Sequence, residues 1–284
     1  MFKKIFFAAA LLLASELIAK PVVIASIAPV EYLAKAVGGD KIEVQSLAKG
    51  DVHSYEPKPN DMKAVAKARI FIAAGLEFEE AWIPRFKASA KNLVVVKSDA
   101  KIAKLKEERG EQAEHDEKHE AHADPHVWLN PMLAITMARN ISDALIAMDK
   151  ANKDFYLKNF QKLMNDLLAF DESAKESLAG LKNRKFVVYH PAWGYFAAHY
   201  DLEQISIERS GKEPKIDEMA STLKMIKDEN IKVIFADPNR SQKSAQILAS
   251  QTGAKVELLD PLGYNLLENL KIAVGAIKDA NSPK

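Results

Sequence analysis

Three of the seven histidines in this 284-residue chain lie in turn-like segments that contain proline, where side chains can do chemistry. They are His53, His126 and His190, and Asp260 ends an apolar segment directly before another proline. Because proline after an apolar run stops strand pairing, the residue before it is expected at the carboxyl end of a strand. Ligands bind at that edge in open parallel α/β sheets. The four residues are therefore candidates for one binding site.

The candidates divide between the two halves of the chain, with His53 and His126 in the first and His190 and Asp260 in the second. If each half brings two of them to its sheet edge, all four meet in a cleft. Three imidazoles and one carboxylate suit zinc, whereas calcium or magnesium would require more oxygen ligands. The separations of 73, 64 and 70 residues form no local metal motif. A zinc site and a set of hydrogen-bonded structural residues both remain open at this point.

The segment 107–124 is the most strongly charged part of the chain, with eight acidic residues against two basic ones. It has no apolar residue larger than alanine, which predicts a surface loop. His115, His119 and His122 lie in it at steps of four and three residues, so they could bind a metal weakly. A loop that is merely solvated is the alternative. His199 lies on a predicted helix and is expected to be structural.

Short apolar segments alternate with amphipathic segments, which is the pattern of a parallel sheet covered by helices. Strands are predicted at 22–26, 42–47, 70–74, 93–96, 186–189, 205–207, 233–236 and 256–259. Helices are predicted at 29–38, 59–68, 78–90, 194–200, 216–229, 241–252 and 266–279. We therefore predict an α/β fold of two lobes, each a four-stranded parallel sheet flanked by helices, over residues 20–148 and 184–284.

A long amphipathic helix is predicted between the lobes, within residues 149–183. Apolar residues recur there at three- and four-residue steps, without a proline. A helix over 151–182 would be about 48 Å long. Since a flexible linker would be rich in glycine, serine or proline, this connection is expected to be rigid and to allow only slight closure of the lobes. Two helices joined by a turn are the alternative.

The composition, with 48% apolar and 28% charged residues, is that of a globular protein, and the N-terminus indicates export. Residues 1–19 begin with lysines at positions 3 and 4, continue with ten apolar residues and end at Ala19, which predicts a cleaved signal peptide. No other segment is apolar and long enough to cross a bilayer.

Cysteine is absent from the sequence, which excludes disulfides, thiolate zinc sites and a lipidated cysteine. A soluble periplasmic protein that is not a lipoprotein is therefore expected. The net charge of +1 gives no electrostatic argument for nucleic-acid binding.

Five motifs together are specific for a known family, although none would suffice alone. They are His53-Ser-Tyr-Glu56-Pro57, Asp124-Pro-His126-Val-Trp-Leu-Asn130-Pro131, Tyr189-His190-Pro-Ala-Trp-Gly-Tyr195-Phe, Gly211-Lys-Glu-Pro214 and Leu259-Asp260-Pro-Leu-Gly263. With these motifs, the chain resembles the ZnuA-like zinc-binding receptors of bacterial ABC uptake systems over residues 21–280. The resemblance implies two four-stranded parallel α/β lobes joined by one long helix.

The resemblance also implies that His53, His126 and His190 bind Zn²⁺, and that Asp260 is a fourth ligand or gives way to water. Manganese-binding members usually have a glutamate in the place of His190, so this histidine favours zinc over a manganese- or iron-carrying relative. Delivery would require a membrane permease with an associated ATPase, and a monomeric receptor is expected. Glu56 could orient one of the ligands or cap a turn. Zinc binding is expected to weaken below about pH 6, because the imidazoles must be neutral.

Two features depart from the family's pattern. The acidic loop carries only three histidines, fewer than in many relatives, and Asp-Pro-Asn-Arg at 237–240 stands where relatives often have Glu-Pro-Gln-Phe. A zinc hydrolase is the alternative from another class, because three histidines with an open position also describe catalytic zinc sites. No acid–base pair or oxyanion element accompanies the candidates, however. No ATP-binding loop occurs in the sequence either. We therefore expect a receptor that is not an enzyme.

Overall fold

The computed structural model describes residues 19–106, 123–208 and 216–281. Its first lobe contains a sheet of four parallel strands in the order β2-β1-β3-β4. The strands are β1 (Val22–Ala25), β2 (Glu43–Ser46), β3 (Ile70–Ala73) and β4 (Val94–Lys97). The helices are α1 (Ala28–Gly38), α2 (Pro59–Val65), α3 (Glu77–Ser89) and α4 (Pro131–Met148).

The second lobe repeats this topology, with four parallel strands in the order β6-β5-β7-β8. The strands are β5 (Lys185–Val188), β6 (Glu203–Ser206), β7 (Val233–Ala236) and β8 (Lys255–Leu258). The helices are α6 (Gly194–His199), α7 (Ile216–Asp228), α8 (Lys243–Thr252) and α9 (Leu266–Asn281). The predicted fold, two lobes that each contain a four-stranded parallel sheet, is confirmed.

The central strands are apolar on both faces because helices cover both sides of each sheet. All four residues of β3 and of β7 are buried, whereas the edge strand β2 alternates between exposed and half-buried residues. Each strand ends within one residue of its predicted end. The residues that follow the strands therefore lie at the sheet edges where the sequence indicates.

The helix α5 (Lys153–Ala179) connects the lobes and follows a single 3₁₀ turn over Lys150–Asn152. Its 27 residues make it about 40 Å long, shorter than predicted, because it begins after that turn and ends at Gly180. It packs against α1 and α4 of the first lobe and against α9 of the second. Its buried apolar residues keep the predicted three- and four-residue steps: Tyr156, Phe160, Leu163, Leu167, Phe170, Ala174 and Leu178. A long helix between the lobes is thus confirmed.

The helix α4 is an element that the sequence analysis did not predict. The side-chain oxygen of Asn130 accepts hydrogen bonds from the N–H groups of Met132 at 2.9 Å and Leu133 at 3.3 Å, which caps the helix. Pro131 occupies the first helical position, where its missing N–H costs nothing. This start fixes the direction of the segment before it, which carries His126.

Two predicted segments fall largely outside the described residues. These are the signal peptide and most of the acidic loop, which includes His115, His119 and His122. Within the described ranges, no helix has both the length and the apolar character needed to cross a membrane.

Candidate metal centre

The three predicted histidines lie together between the lobes. His53, His126 and His190 each offer a ring nitrogen, and these nitrogens all lie within 4.8 Å of one another. The ring centroids are 5.5 Å apart for His53 and His126, 5.0 Å for His53 and His190, and 5.3 Å for His126 and His190. With Zn–N bonds of about 2.0–2.1 Å, small movements would let all three bind one ion.

Each histidine is positioned by a different local structure. His53 lies in the loop between β2 and α2, where its backbone N–H donates to the carboxylate of Asp51 at 3.1 Å. His126 is buried at the start of a 3₁₀ turn over Val127–Leu129. His190 is also buried and lies two residues beyond the end of β5. Both lobes therefore contribute to the centre.

Two of the histidines have a buried carboxylate on the side away from the centre. Nδ1 of His126 lies 2.7 Å from Oδ1 of Asp124, and Nδ1 of His190 lies 2.8 Å from Oε2 of Glu208. A carboxylate that accepts from Nδ1–H leaves the lone pair of Nε2 free for a metal. Nε2 of His190 is buried and has no hydrogen-bond partner, a deficit that a metal ion would relieve. The donor set therefore fits a zinc ion.

Both carboxylates lie outside the predicted site residues, although each has a signal in the sequence. Asp124 precedes His126 by two residues and also accepts a hydrogen bond from its backbone N–H at 2.9 Å. Glu208 lies two residues beyond the end of β6, the parallel neighbour of β5. Because His190 lies two residues beyond β5, the shared register brings the two side chains side by side.

Asp124 also lies at the base of the acidic loop, and its place corrects the predicted loop boundary. Its N–H donates to the carbonyl oxygen of Leu105 at 2.9 Å, and Lys106 pairs with Ala123 in an antiparallel bridge. The hydroxyl of Tyr195 donates to the Asp124 carbonyl at 2.8 Å and accepts from the Leu105 N–H at 2.8 Å. Asp124 is therefore a buried residue of the centre and not part of a surface loop.

Asp260 lies two residues beyond β8, at the same edge of its sheet. Asp260 is not part of the group of donor atoms that lie within 4.8 Å of one another. Among the described residues, that group consists of the three histidines. Its Oδ1 instead accepts hydrogen bonds from Nδ2 of Asn239 at 2.8 Å and from the N–H of Leu262 at 2.9 Å. A ligand role for Asp260 would require a change in these bonds, and it stays a prediction.

Two other predicted residues lie apart from the centre. Glu56 is exposed, and among the described hydrogen bonds and ion pairs it makes none with His53, so its role as an orienting carboxylate stays a prediction. His199 is structural as expected, because its Nε2 lies 2.6 Å from Oδ1 of Asp171 on α5. This contact joins the second lobe to the linking helix.

Comparison with known proteins places the chain in a family. Residues 23–280 match the family model described as zinc-uptake complex component A, periplasmic. The chain belongs to this family. It is 30% identical over 279 residues to the high-affinity zinc uptake system protein ZnuA of Bacillus subtilis (strain 168), a match that covers 91% of this chain and 86% of that protein.

Solved structures agree with this assignment. A crystal structure of ZnuA matches with a TM-score of 0.87 and 35% identity, and the match covers 93% of this chain and 100% of that one. A deletion mutant of ZnuA with zinc bound matches with a TM-score of 0.86 and 34% identity, covering 93% and 99% of the two chains. The family that the sequence predicts is thus confirmed.

Burial favours the neutral, metal-binding form of the His53 and His190 rings. It lowers the pKa of His53 to about 4, and repulsion from His126 and Arg240 adds to this effect. The pKa of His190 is also lowered well below its usual value, again mainly by burial. Protons should therefore compete with zinc at these two rings only below the usual histidine pKa of about 6.5.

We expect zinc affinity to hold as the pH falls from 7.5 to 6 and to decline mainly below pH 6. The reason is that His53 and His190 gain protons only below their usual pKa of about 6.5. Chelator-competition titrations at half-unit intervals from pH 4.5 to 7.5 measure this. A tenfold loss of affinity already complete at pH 6 would contradict it. The metal-free fold should also lose stability below about pH 6.5, where the unfolded chain binds protons that the folded histidines do not.

Proposed function

We propose that this chain is a periplasmic receptor that captures Zn²⁺ with high affinity and delivers it to the permease of an ABC transporter. The convergence of three histidine side chains between two lobes carries the proposal. A neutral three-histidine set suits zinc, and the carboxylates behind two of the rings increase their basicity as ligands. Membership of the zinc-uptake family supports the same conclusion.

His53, His126 and His190 are the proposed ligands, and Asp260 or a water molecule completes the coordination. If a water molecule is the fourth ligand, Asp260 keeps its present hydrogen bonds. If Asp260 binds the ion directly, the segment after β8 must shift towards the histidines. Manganese prefers oxygen ligands, so a set of three imidazoles suits it less well than zinc. Zinc is therefore the proposed cargo, and manganese the ion against which selectivity is tested.

The remaining steps of the proposal concern export and delivery. Residues 1–19 direct export and are removed, and without cysteine the mature protein carries no lipid anchor at an N-terminal cysteine. The receptor acts as a monomer and performs no catalysis. A separate permease with its ATPase moves the ion across the membrane.

The deciding experiment is a titration of the metal-stripped mature chain, from Lys20 onward, with zinc against a competing chelator. One tight zinc site that excess manganese does not displace is the expected result. Equal or tighter manganese binding would move the assignment to a manganese receptor. Hydrolysis of an activated ester in proportion to zinc content would instead favour a zinc hydrolase.

Deleting residues 107–122 is expected to spare the tight zinc site and to lower the total zinc bound. Lys106 and Ala123 are paired, so an Asn-Gly turn can join them. Affinity at the tight site should change by no more than about twofold, because no residue of the centre is removed. A deletion of 107–124 is the matched comparison: it also removes Asp124 and should cost about 10–100-fold. Loss of the tight site in the shorter deletion would show that the loop supplies a ligand.

A further inference from the structure

Arg240, in the turn after β7, reaches the rear of the metal centre. Its Nη1 lies 2.5 Å from Nδ1 of His190 and 3.1 Å from Oε2 of Glu208. Its Nη2 lies 3.7 Å from Oδ2 of Asp51, in the loop that carries His53. Because the side chain is only 14% exposed, solvent and salt screen its charge poorly. A permanent cation thus contacts groups from both lobes beside a site for another cation.

Glu208 and Arg240 make opposite demands on the His190 ring. A carboxylate only accepts hydrogen bonds, so Glu208 requires a hydrogen on Nδ1, whereas a guanidinium only donates and requires the Nδ1 lone pair. A neutral imidazole carries one N–H, and if Nδ1 accepts from Arg240 that hydrogen must be on Nε2. The Nε2 lone pair is then lost to a metal. Zinc binding therefore needs the bond to Glu208 and the withdrawal of Arg240.

We propose that Arg240 weakens zinc binding and accelerates zinc release, because it competes with Glu208 for His190 and places a positive charge beside the ion. The inference rests on the proposed function and deepens it, since a receptor must give up its cargo as well as hold it. Three neutral imidazoles bring no negative charge to offset the guanidinium. Of the nearby carboxylates, Asp51 and Glu208 are themselves partly neutralised by Arg240.

The charge of Arg240 lies near more than the ring that it contacts. Its Nη2 is 3.7 Å from the carboxylate of Asp51, and that carboxylate accepts a hydrogen bond from the backbone N–H of His53. A positive charge between the loop of His53 and the ring of His190 disfavours a divalent metal ion beside them, because like charges repel.

The test compares Arg240→Gln, which removes the charge, with Arg240→Lys, which keeps it. Zinc affinity is measured by chelator competition and release by stopped-flow mixing with excess chelator. Arg240→Gln should bind zinc about 10–100-fold more tightly, the size of effect seen for groups behind metal ligands, mostly through slower release. Arg240→Lys should remain closer to the parent. Unchanged or weaker binding by Arg240→Gln, or a gain in Arg240→Lys equal to it, would overturn the proposal.

Nitrogen-15 spectra of the histidine rings give a readout that a purely structural role would not change. In the metal-free parent protein, His190 should populate the Nε2–H form, and Arg240→Gln should shift it to Nδ1–H. A crystal structure with zinc should show Arg240 withdrawn beyond 3.5 Å from Nδ1 while Glu208 stays in contact. A His190 ring wholly in the Nδ1–H form in the metal-free parent would overturn the competition. Absence of tight zinc binding by the parent would contradict the proposed function itself.

Discussion

Replacing His190 with alanine is expected to weaken zinc binding by about 10²–10³-fold. Binding free energies of structural zinc sites are about 10–16 kcal/mol for four ligands, or about 2.5–4 kcal/mol for each ligand, and each 1.4 kcal/mol is about a tenfold change in Kd. His190 is the only one of the three candidate ligands that the second lobe supplies. Its loss therefore removes one donor atom and also leaves the ion without a histidine ligand from the second lobe. Chelator competition measures the change in Kd.

His199→Ala is the matched control for this variant. His199 lies in the same lobe and is hydrogen-bonded to Asp171, but it is not part of the histidine group at the centre. Its removal should lower the Tm of the metal-free protein and leave zinc affinity within about twofold, because distant sites act almost additively. If His190→Ala bound zinc as tightly as the parent, His190 would not be a ligand.

The fold could be predicted from the sequence because its signals are local and repeated. Strands such as β3 and β7 are short, fully buried apolar segments, and α5 shows its buried face as a regular spacing of large side chains. The helix α4 is harder to predict although its start is clear, because Asn130 and Pro131 also belong to the motif around His126. The same two residues are an N-cap followed by a proline at the first helical position.

The candidate ligands could be predicted from local signals, because His190 and Asp260 each lie two residues beyond a strand and His53 and His126 lie in short segments that contain proline. The carboxylate behind His190 depends instead on which strands pair, and the positions of the strands along the sequence do not reveal that pairing. Glu208 comes beside His190 only because β6 lies parallel to β5 in register. The place of Arg240 beside the centre is harder still to predict from the sequence, because it depends on contacts with both lobes.

Replacing Glu208 with glutamine is expected to lower zinc affinity by about 10–100-fold, the usual cost of losing a carboxylate behind a metal-binding histidine. The shape is almost unchanged, but the charge that makes His190 a stronger ligand is lost. Arg240 also loses its buried ion-pair partner at 3.1 Å and is then freer to occupy Nδ1. The loss should therefore appear as weaker zinc binding while the metal-free fold remains intact. Chelator competition measures the zinc affinity, and the Tm of the metal-free variant shows whether the fold is intact.

The same change at Glu229 provides the control, because Glu229 pairs with Lys185 on the surface of the same lobe and should affect zinc affinity by no more than about twofold. A double variant with Glu208→Gln and Arg240→Gln then separates the two effects of Glu208. If the carboxylate acts partly by occupying Arg240, the double variant should bind zinc more tightly than Glu208→Gln alone. Contacting residues of this kind couple non-additively. Equal affinity of the Glu208→Gln variant and the parent would mean that His190 needs no carboxylate to bind zinc.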